Sequence, residues 1–169
     1  DLDFSELQAV FENLTLYPAS TEEQVLERIQ DVDVVITNKV RISAEVIQQL
    51  PQLKLILISA TGTNNVDLVQ AKKSGIVVCN CQAYGTSAVA QHTLMLMLAL
   101  STSVIQYHQA VQKGEWQKAQ QFCLLDFPIV ELTGKTLGII GYGELGQAVA
   151  QLAKAFGMRI MVGALPNRP

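Results

Sequence analysis

Residues 32–37 (VDVVIT), 54–59 (KLILIS) and 76–79 (IVVC) are short apolar runs rich in β-branched side chains, and a helical pattern separates each from the next. Strands that are apolar on both faces must be covered on both faces, and helices returning between them make the sheet parallel. The alternation therefore predicts a doubly wound α/β layer. Each switch is marked by a residue with a reason to be there. The hydroxyls of Ser20 and Thr21 precede a helix carrying Val25, Leu26 and Ile29, with Glu22 and Glu23 at its positive end. Ser43 caps a second helix through Leu50, which Pro51 stops because proline lacks an N–H and disfavours helical geometry in the residue before it. A third helix runs from about Asp67 and closes at Gly75. Residues 4–12 as a helix and 14–17 as a strand extend the rhythm backwards. A strand ahead of Asp1 would complete it, so the chain is expected to begin inside a domain.

After Cys81 the composition shifts. Residues 82–85 read as a loop, Thr86 and Ser87 as a helix cap, and residues 88–113 as almost continuous helix ended by Gly114. The first part of that helix, including the run 94–100, is apolar on every side, which places it as a buried helix between layers or against another subunit. The run is too short to cross a bilayer. Trp116 is expected to pack locally, and the poorly patterned residues 117–133 to form an irregular arm.

The most specific segment is KTLGIIGYGELGQAVA at residues 135–150. Residues 136–140 read as a strand, Gly141-Tyr-Gly143-Glu-Leu-Gly146 as a G-x-G-x-x-G turn, residues 147–156 as an amphipathic helix and 158–162 as a second strand. Each glycine has a task. Gly141 permits the tight turn, Gly143 lets a pyrophosphate approach the backbone, and Gly146 lets the helix pack closely on the strand. The helix N-terminus then offers free N–H groups and a positive dipole end to phosphates. A tight strand-to-helix turn without a ligand is the competing reading.

In such units an acid near the end of the second strand holds the ribose hydroxyls of NAD. Here Ala164 stands eighteen residues beyond Gly146, and Arg168 follows. An adenosine 2′-phosphate would be welcomed by that cation, so NADP acceptance is expected beside NAD, unless Arg168 is merely a solvated end residue.

Composition narrows the partners. Over 169 residues, 49% hydrophobic and 16% charged content excludes disorder and allows one large domain or two small or incomplete ones. Twelve Lys+Arg against fifteen Asp+Glu give a net charge of −3, with no basic block. No footprint for nucleic acid or an anionic membrane results, which leaves small molecules or further copies of the chain. The three cysteines, Cys79, Cys81 and Cys123, form neither a C-x-x-C nor a zinc-type set with the two histidines. They are expected to be reduced, small buried hydrophobes in a cytoplasmic protein, with no metal site. No signal-peptide pattern opens the chain.

Taken together, ITNK at 36–39, ATGTNNVDL at 60–68, VAQHT at 89–93 and FPIVELTGKTLGIIGYG at 127–143 resemble the D-isomer-specific 2-hydroxyacid dehydrogenases, and within them the glycerate dehydrogenase (hydroxypyruvate reductase) branch. The resemblance runs over essentially the whole chain. It implies an α/β architecture in which residues 1–82 are the N-terminal part of a flavodoxin-like substrate domain. Residues 83–169 would be the first half of a Rossmann NAD(P)-binding domain, including its dimer-region helices, and the intact protein a homodimer.

The reaction implied is hydride transfer between NAD(P)H and the C2 carbonyl of a small 2-oxo acid, hydroxypyruvate or glyoxylate giving D-glycerate or glycolate. The carbonyl oxygen must be stabilised and protonated, for which the family uses a histidine, a glutamate that holds it charged and an arginine that binds substrate. All three are expected beyond Pro169, so no catalytic residue is assigned in this chain and the chain alone is expected to be inactive. His92 is expected in a packing or polar-core role and His108 to be solvated.

The resemblance places carboxylate-binding N–H groups on Thr61 and Gly62, with Ala60 and Thr63 as neighbours. Asn38 and Lys39 fall in a loop facing the same cleft, with an exposed charge as the competing reading for Lys39. Gly141, Gly143, Glu144, Leu145 and Gly146 receive the pyrophosphate, and Thr93 lies near the nicotinamide end. An NAD(H)-binding regulatory or corepressor-like protein of the same fold, or a truncated relative with a structural role, are the alternatives.

Overall fold

The computed structural model describes residues 3–164; the assignment made for Arg168 lies outside them. The chain divides into two units, residues 1–82 and 83–169.

In the first unit, helices α1 (Ser5–Val10) and α2 (Glu22–Ile29) precede strand β1 (Val34–Thr37). Helix α3 (Ala44–Ile47), strand β2 (Leu55–Ile58), helix α4 (Leu68–Lys73) and strand β3 (Val77–Asn80) follow. The strands form a parallel sheet in the order β1-β2-β3, as the alternation requires. Local chemistry sets the helix starts. Thr21 closes a capping box in which its N–H donates to Gln24 Oε1 at 3.1 Å. Asp67 Oδ1 accepts the Gln70 N–H at 2.8 Å, and Gly75, at φ +73°, turns the chain out of α4.

The register aligns Val35 with Ile56 and Val78, and Thr37 with Ile58 and Asn80. That face is the core: Ile56 and Ile58 are fully buried and pack with Ile42, Ile47, Leu50, Leu53 and Ile76. The opposite face is only partly covered by this unit, since Ile36, Val77 and Cys79 are exposed there. This corrects two expectations. The layer is not sealed on both faces within these residues, and Cys79 and Cys81 are exposed free thiols rather than buried ones, with Cys123 half-buried.

Residues 14–17 are not a strand. A strand needs a neighbour's ladder, and this segment is held through side chains instead. The Arg28 guanidinium stands 4.2 Å from the Tyr17 ring centre, and Arg28 Nη1 donates to the Ala19 carbonyl at 2.6 Å.

The second unit comprises helices α5 (Thr86–Ser101), α6 (Val104–Gln112) and α7 (Glu115–Lys118), strand β4 (Thr136–Ile140), helix α8 (Glu144–Ala155) and strand β5 (Arg159–Gly163). β4 and β5 pair in parallel, with Ile139 opposite Val162. The single long helix expected to run to residue 113 is two helices meeting at 61°. Three consecutive hydroxyl residues cause the break. Ser101 Oγ and Thr102 Oγ1 both donate back to the Leu98 carbonyl, at 3.2 and 2.7 Å, in competition with the helical ladder. Ser103 is buried, takes a left-handed φ of +51°, and its Oγ donates to the Pro128 carbonyl at 2.7 Å.

The irregular arm is anchored at that break. Val130 N–H donates to the Ser101 carbonyl at 2.7 Å, the Tyr107 hydroxyl donates to the Phe127 carbonyl at 2.7 Å, and the two rings stack edge to face. Helix α5 is largely exposed among the described residues. Ala90 is its buried residue, whereas Leu100 is 82% exposed and Met95 and Leu96 are about half exposed. Trp116 in α7 is likewise half exposed. Among the described residues no single helix is long and apolar enough to cross a membrane.

Candidate active site

The glycine turn is built by β4 and α8. Gly141 sits at φ +92°, a conformation that side chains rarely adopt, and reverses the chain at the end of β4. Gly143 is the N-cap of α8, so the helix begins inside the motif, at Glu144. The N–H groups of Gly143, Glu144, Leu145 and Gly146 therefore have no intrahelical acceptor. Gln147 steadies the turn, its N–H donating to the Gly143 carbonyl at 2.9 Å and its Nε2 to the Tyr142 carbonyl at 3.2 Å.

The three glycines differ in what they tolerate. A Cβ on Gly146 would overlap the Gly141 carbonyl oxygen and come within 3.3 Å of Ile139 Cγ2, so the fold itself demands glycine there. Gly143 is different: its backbone, at φ −78° and ψ −162°, suits any residue, and a Cβ there would meet nothing within 4 Å. The helix comes close to the strands through small side chains, Ala150 and Ala153 being buried alongside Ile139 and Met158. α8 also packs on α5. At the start of α5, Thr86 Oγ1 donates to Glu144 Oε1 at 2.6 Å.

The first unit holds the loop from Ser59 to Val66. Its carbonyls are pinned: Asn80 Nδ2 donates to the Thr61 carbonyl at 2.7 Å and Cys81 N–H to the Ala60 carbonyl at 3.1 Å. Asn65, nearly buried, donates through Nδ2 to the Val40 carbonyl at 3.1 Å and lies 3.4 Å from that of Asn38, joining this loop to the one after β1. Thr61 and Gly62 are exposed, and among the described residues the N–H groups of Thr61, Gly62 and Thr63 donate to no protein acceptor. Lys39 is exposed and makes no ion pair with a described residue.

The remaining assignments lie on α5 and α6. Thr93 Oγ1 donates to the Val89 carbonyl at 2.8 Å within its own helix. His92 is exposed on α5, not placed in a core among the described residues. His108 is exposed, as expected of a solvated histidine. Thr86 and Ser87 are the first residues of α5, not its cap, which is Gly85. Sequence reasoning did not single out Asn65, Asn80 or the pairing of Thr86 with Glu144. Asparagines beside a T-G-T loop are a signal for side-chain-to-backbone bonding, though nothing in the spacing identifies the partners.

A parallel strand, a glycine turn and a helix packed on the return strand make up the first βαβ unit of a Rossmann-type fold, preceded here by a separate parallel α/β unit. A profile of the D-isomer specific 2-hydroxyacid dehydrogenase catalytic domain matches residues 3–160, and the chain belongs to that family of oxidoreductases. It is 44% identical over 141 residues to a glycerate dehydrogenase of Methylorubrum extorquens, covering 83% of this chain and 45% of that one. It is 39% identical over 163 residues to a hydroxypyruvate reductase of Blautia hydrogenotrophica, covering 95% and 51%. Among solved structures it is similar to D-lactate dehydrogenase from Aquifex aeolicus complexed with NAD and lactic acid. That likeness has a TM-score of 0.79 at 26% identity over 98% of this chain and 48% of that one. The acyclic imino acid reductase Bsp5, in complex with NADPH and D-Arg, gives 0.77 at 29% identity, covering 91% and 48%. The chain spans about half the length of these relatives.

Proposed function

We propose that the intact protein is an NAD(P)-dependent 2-hydroxyacid dehydrogenase that reduces the C2 carbonyl of a small 2-oxo acid, hydroxypyruvate or glyoxylate, to D-glycerate or glycolate. The observation that carries this reading is Gly143. Its backbone does not need glycine and its side-chain space is empty. A bare turn would leave that position free to vary, whereas a pyrophosphate seated on the N–H groups of Glu144, Leu145 and Gly146 would occupy the space. The residues therefore fit a nicotinamide dinucleotide, which when bound supplies or accepts the hydride.

In the first unit, the N–H groups of Thr61 and Gly62, which donate to no described residue, are suited to a carboxylate, because donors on a fixed loop bind an anion without reorganising. Lys39 adds a positive charge on a neighbouring loop. Residues 1–82 are thus assigned to substrate and 83–169 to cofactor. The exposed apolar side chains of α5 support a homodimer in which a second copy covers them. The relatives' names support the substrate class: glycerate dehydrogenase, hydroxypyruvate reductase and glyoxylate reductase.

The test is loss of dihydronicotinamide absorbance when the intact protein meets NADH or NADPH with hydroxypyruvate or glyoxylate. Saturable turnover with either acid is expected, and none from the 169-residue chain alone. Dinucleotide binding by the intact protein without turnover on any 2-oxo acid would overturn the reading.

A further inference from the structure

The second residue after Gly141 in the motif is Gly143, and the residue that follows it is an acid. Glu144 occupies the first position of α8, where its carboxylate favours the positive helix end yet would repel a pyrophosphate drawn to the same N–H groups. Thr86 stands beside that carboxylate. The hydroxyl of Thr86 carries one proton and has two oxygens in reach, Glu144 Oε1 at 2.6 Å and the Ala83 carbonyl at 3.2 Å. The nearer, charged acceptor takes it, because a hydroxyl-to-carboxylate bond is the stronger of the two. Ala83 itself sits at φ +63°, an uncommon conformation for a residue with a side chain, and this turn leads the chain into α5 with Thr86 facing Glu144.

We propose that Thr86 is a positioning residue for the dinucleotide site: it holds the Glu144 carboxylate on the α5 side of the helix start, so that the N–H groups of residues 144–146 stay open to phosphate. The inference rests on the glycine turn being the pyrophosphate seat. It makes Glu144 a residue whose charge is tolerated only while it is tied.

The test is a double-substitution cycle on the intact protein, with dissociation constants for NADH measured by fluorescence titration. Thr86→Val removes the donor at constant shape, and about fivefold to tenfold weaker NADH binding is expected, the scale of one ordinary hydrogen bond. Thr86→Ser keeps the donor and is expected to restore affinity. Glu144→Gln keeps an oxygen that can accept from Thr86 but removes the charge. In that background Thr86→Val is expected to change affinity by less than about twofold, because no carboxylate is left to swing onto the seat. An equal loss in both backgrounds would reduce the pair to a structural contact and overturn the proposal, as would unchanged affinity in Thr86→Val alone. Failure of the unsubstituted protein to bind NADH would overturn the seat, and this inference with it.

Discussion

Gly146 lies so close beneath Gly141 that a methyl group on its α-carbon would overlap the Gly141 carbonyl oxygen. The contact fixes how near α8 can come to the end of β4. Gly146→Ala must push the helix away or distort the turn, and overpacking of this kind costs about 1–3 kcal/mol. A lower melting temperature is expected, together with weaker dinucleotide binding, because the displaced helix carries its N–H groups with it. Unchanged thermal stability would show that the turn yields at no cost.

The anchoring of the arm gives a second expectation. Tyr107→Phe removes the hydroxyl that donates to the Phe127 carbonyl at 2.7 Å and accepts from the Phe127 N–H at 3.3 Å, and leaves the edge-to-face ring pair in place. The loss should be about 1–3 kcal/mol, the ordinary net worth of two hydrogen bonds. Faster amide exchange and protease cleavage near residues 119–127 should accompany it, since this contact holds an otherwise irregular segment.

A third concerns pH. The Ser43 hydroxyl beside the Glu45 carboxylate holds that group below the usual glutamate range, helped by the Glu45 N–H and the nearby Arg41 charge. A depressed carboxylate stabilises the fold above its ordinary value, and this contribution is lost as pH falls through the lowered one. Ser43→Ala is expected to return the Glu45 titration toward the ordinary range in a carboxylate NMR experiment. It should also cost about 0.5 kcal/mol at neutral pH, the low end for a cap whose bond to the Val46 N–H is 3.4 Å long.

Much of this was readable from residues alone, for a physical reason. The β-α alternation, the glycine tasks at Gly141 and Gly146, and the caps at Thr21 and Ser43 depend on neighbours a few positions away, so the sequence displays them directly. The break at Ser103 was hidden because Ser101 and Thr102 are acceptable helix residues until their hydroxyls bond back to Leu98. Residues 14–17 have strand composition but find no ladder. The bonds from Asn80 to Thr61 and from Thr86 to Glu144 span 19 and 58 residues, distances over which spacing carries no signal. The exposure of α5 and of one sheet face was hidden because an apolar side chain has the same composition whether a neighbour covers it or not.

Cofactor choice gives a fourth expectation. Ala164, exposed after β5, offers no acid to the ribose hydroxyls of NAD and no repulsion to a 2′-phosphate. Ala164→Asp should weaken NADPH binding about tenfold relative to NADH, one unfavourable charge contact near the surface. Equal effects on the two dinucleotides, in paired titrations, would place the adenosine ribose elsewhere.

The central claim is that Gly143 is glycine for the sake of a ligand. Gly143→Ala meets no atom within 4 Å and needs no unusual backbone. Alanine is a poorer N-cap than glycine but restricts the unfolded chain, and the two effects nearly offset. The decisive measurement is therefore NADH titration of Gly143→Ala beside its melting temperature, in the intact protein. Binding at least about tenfold weaker at nearly unchanged melting temperature is predicted, since the added methyl stands where the pyrophosphate must lie. Unchanged affinity would contradict the account.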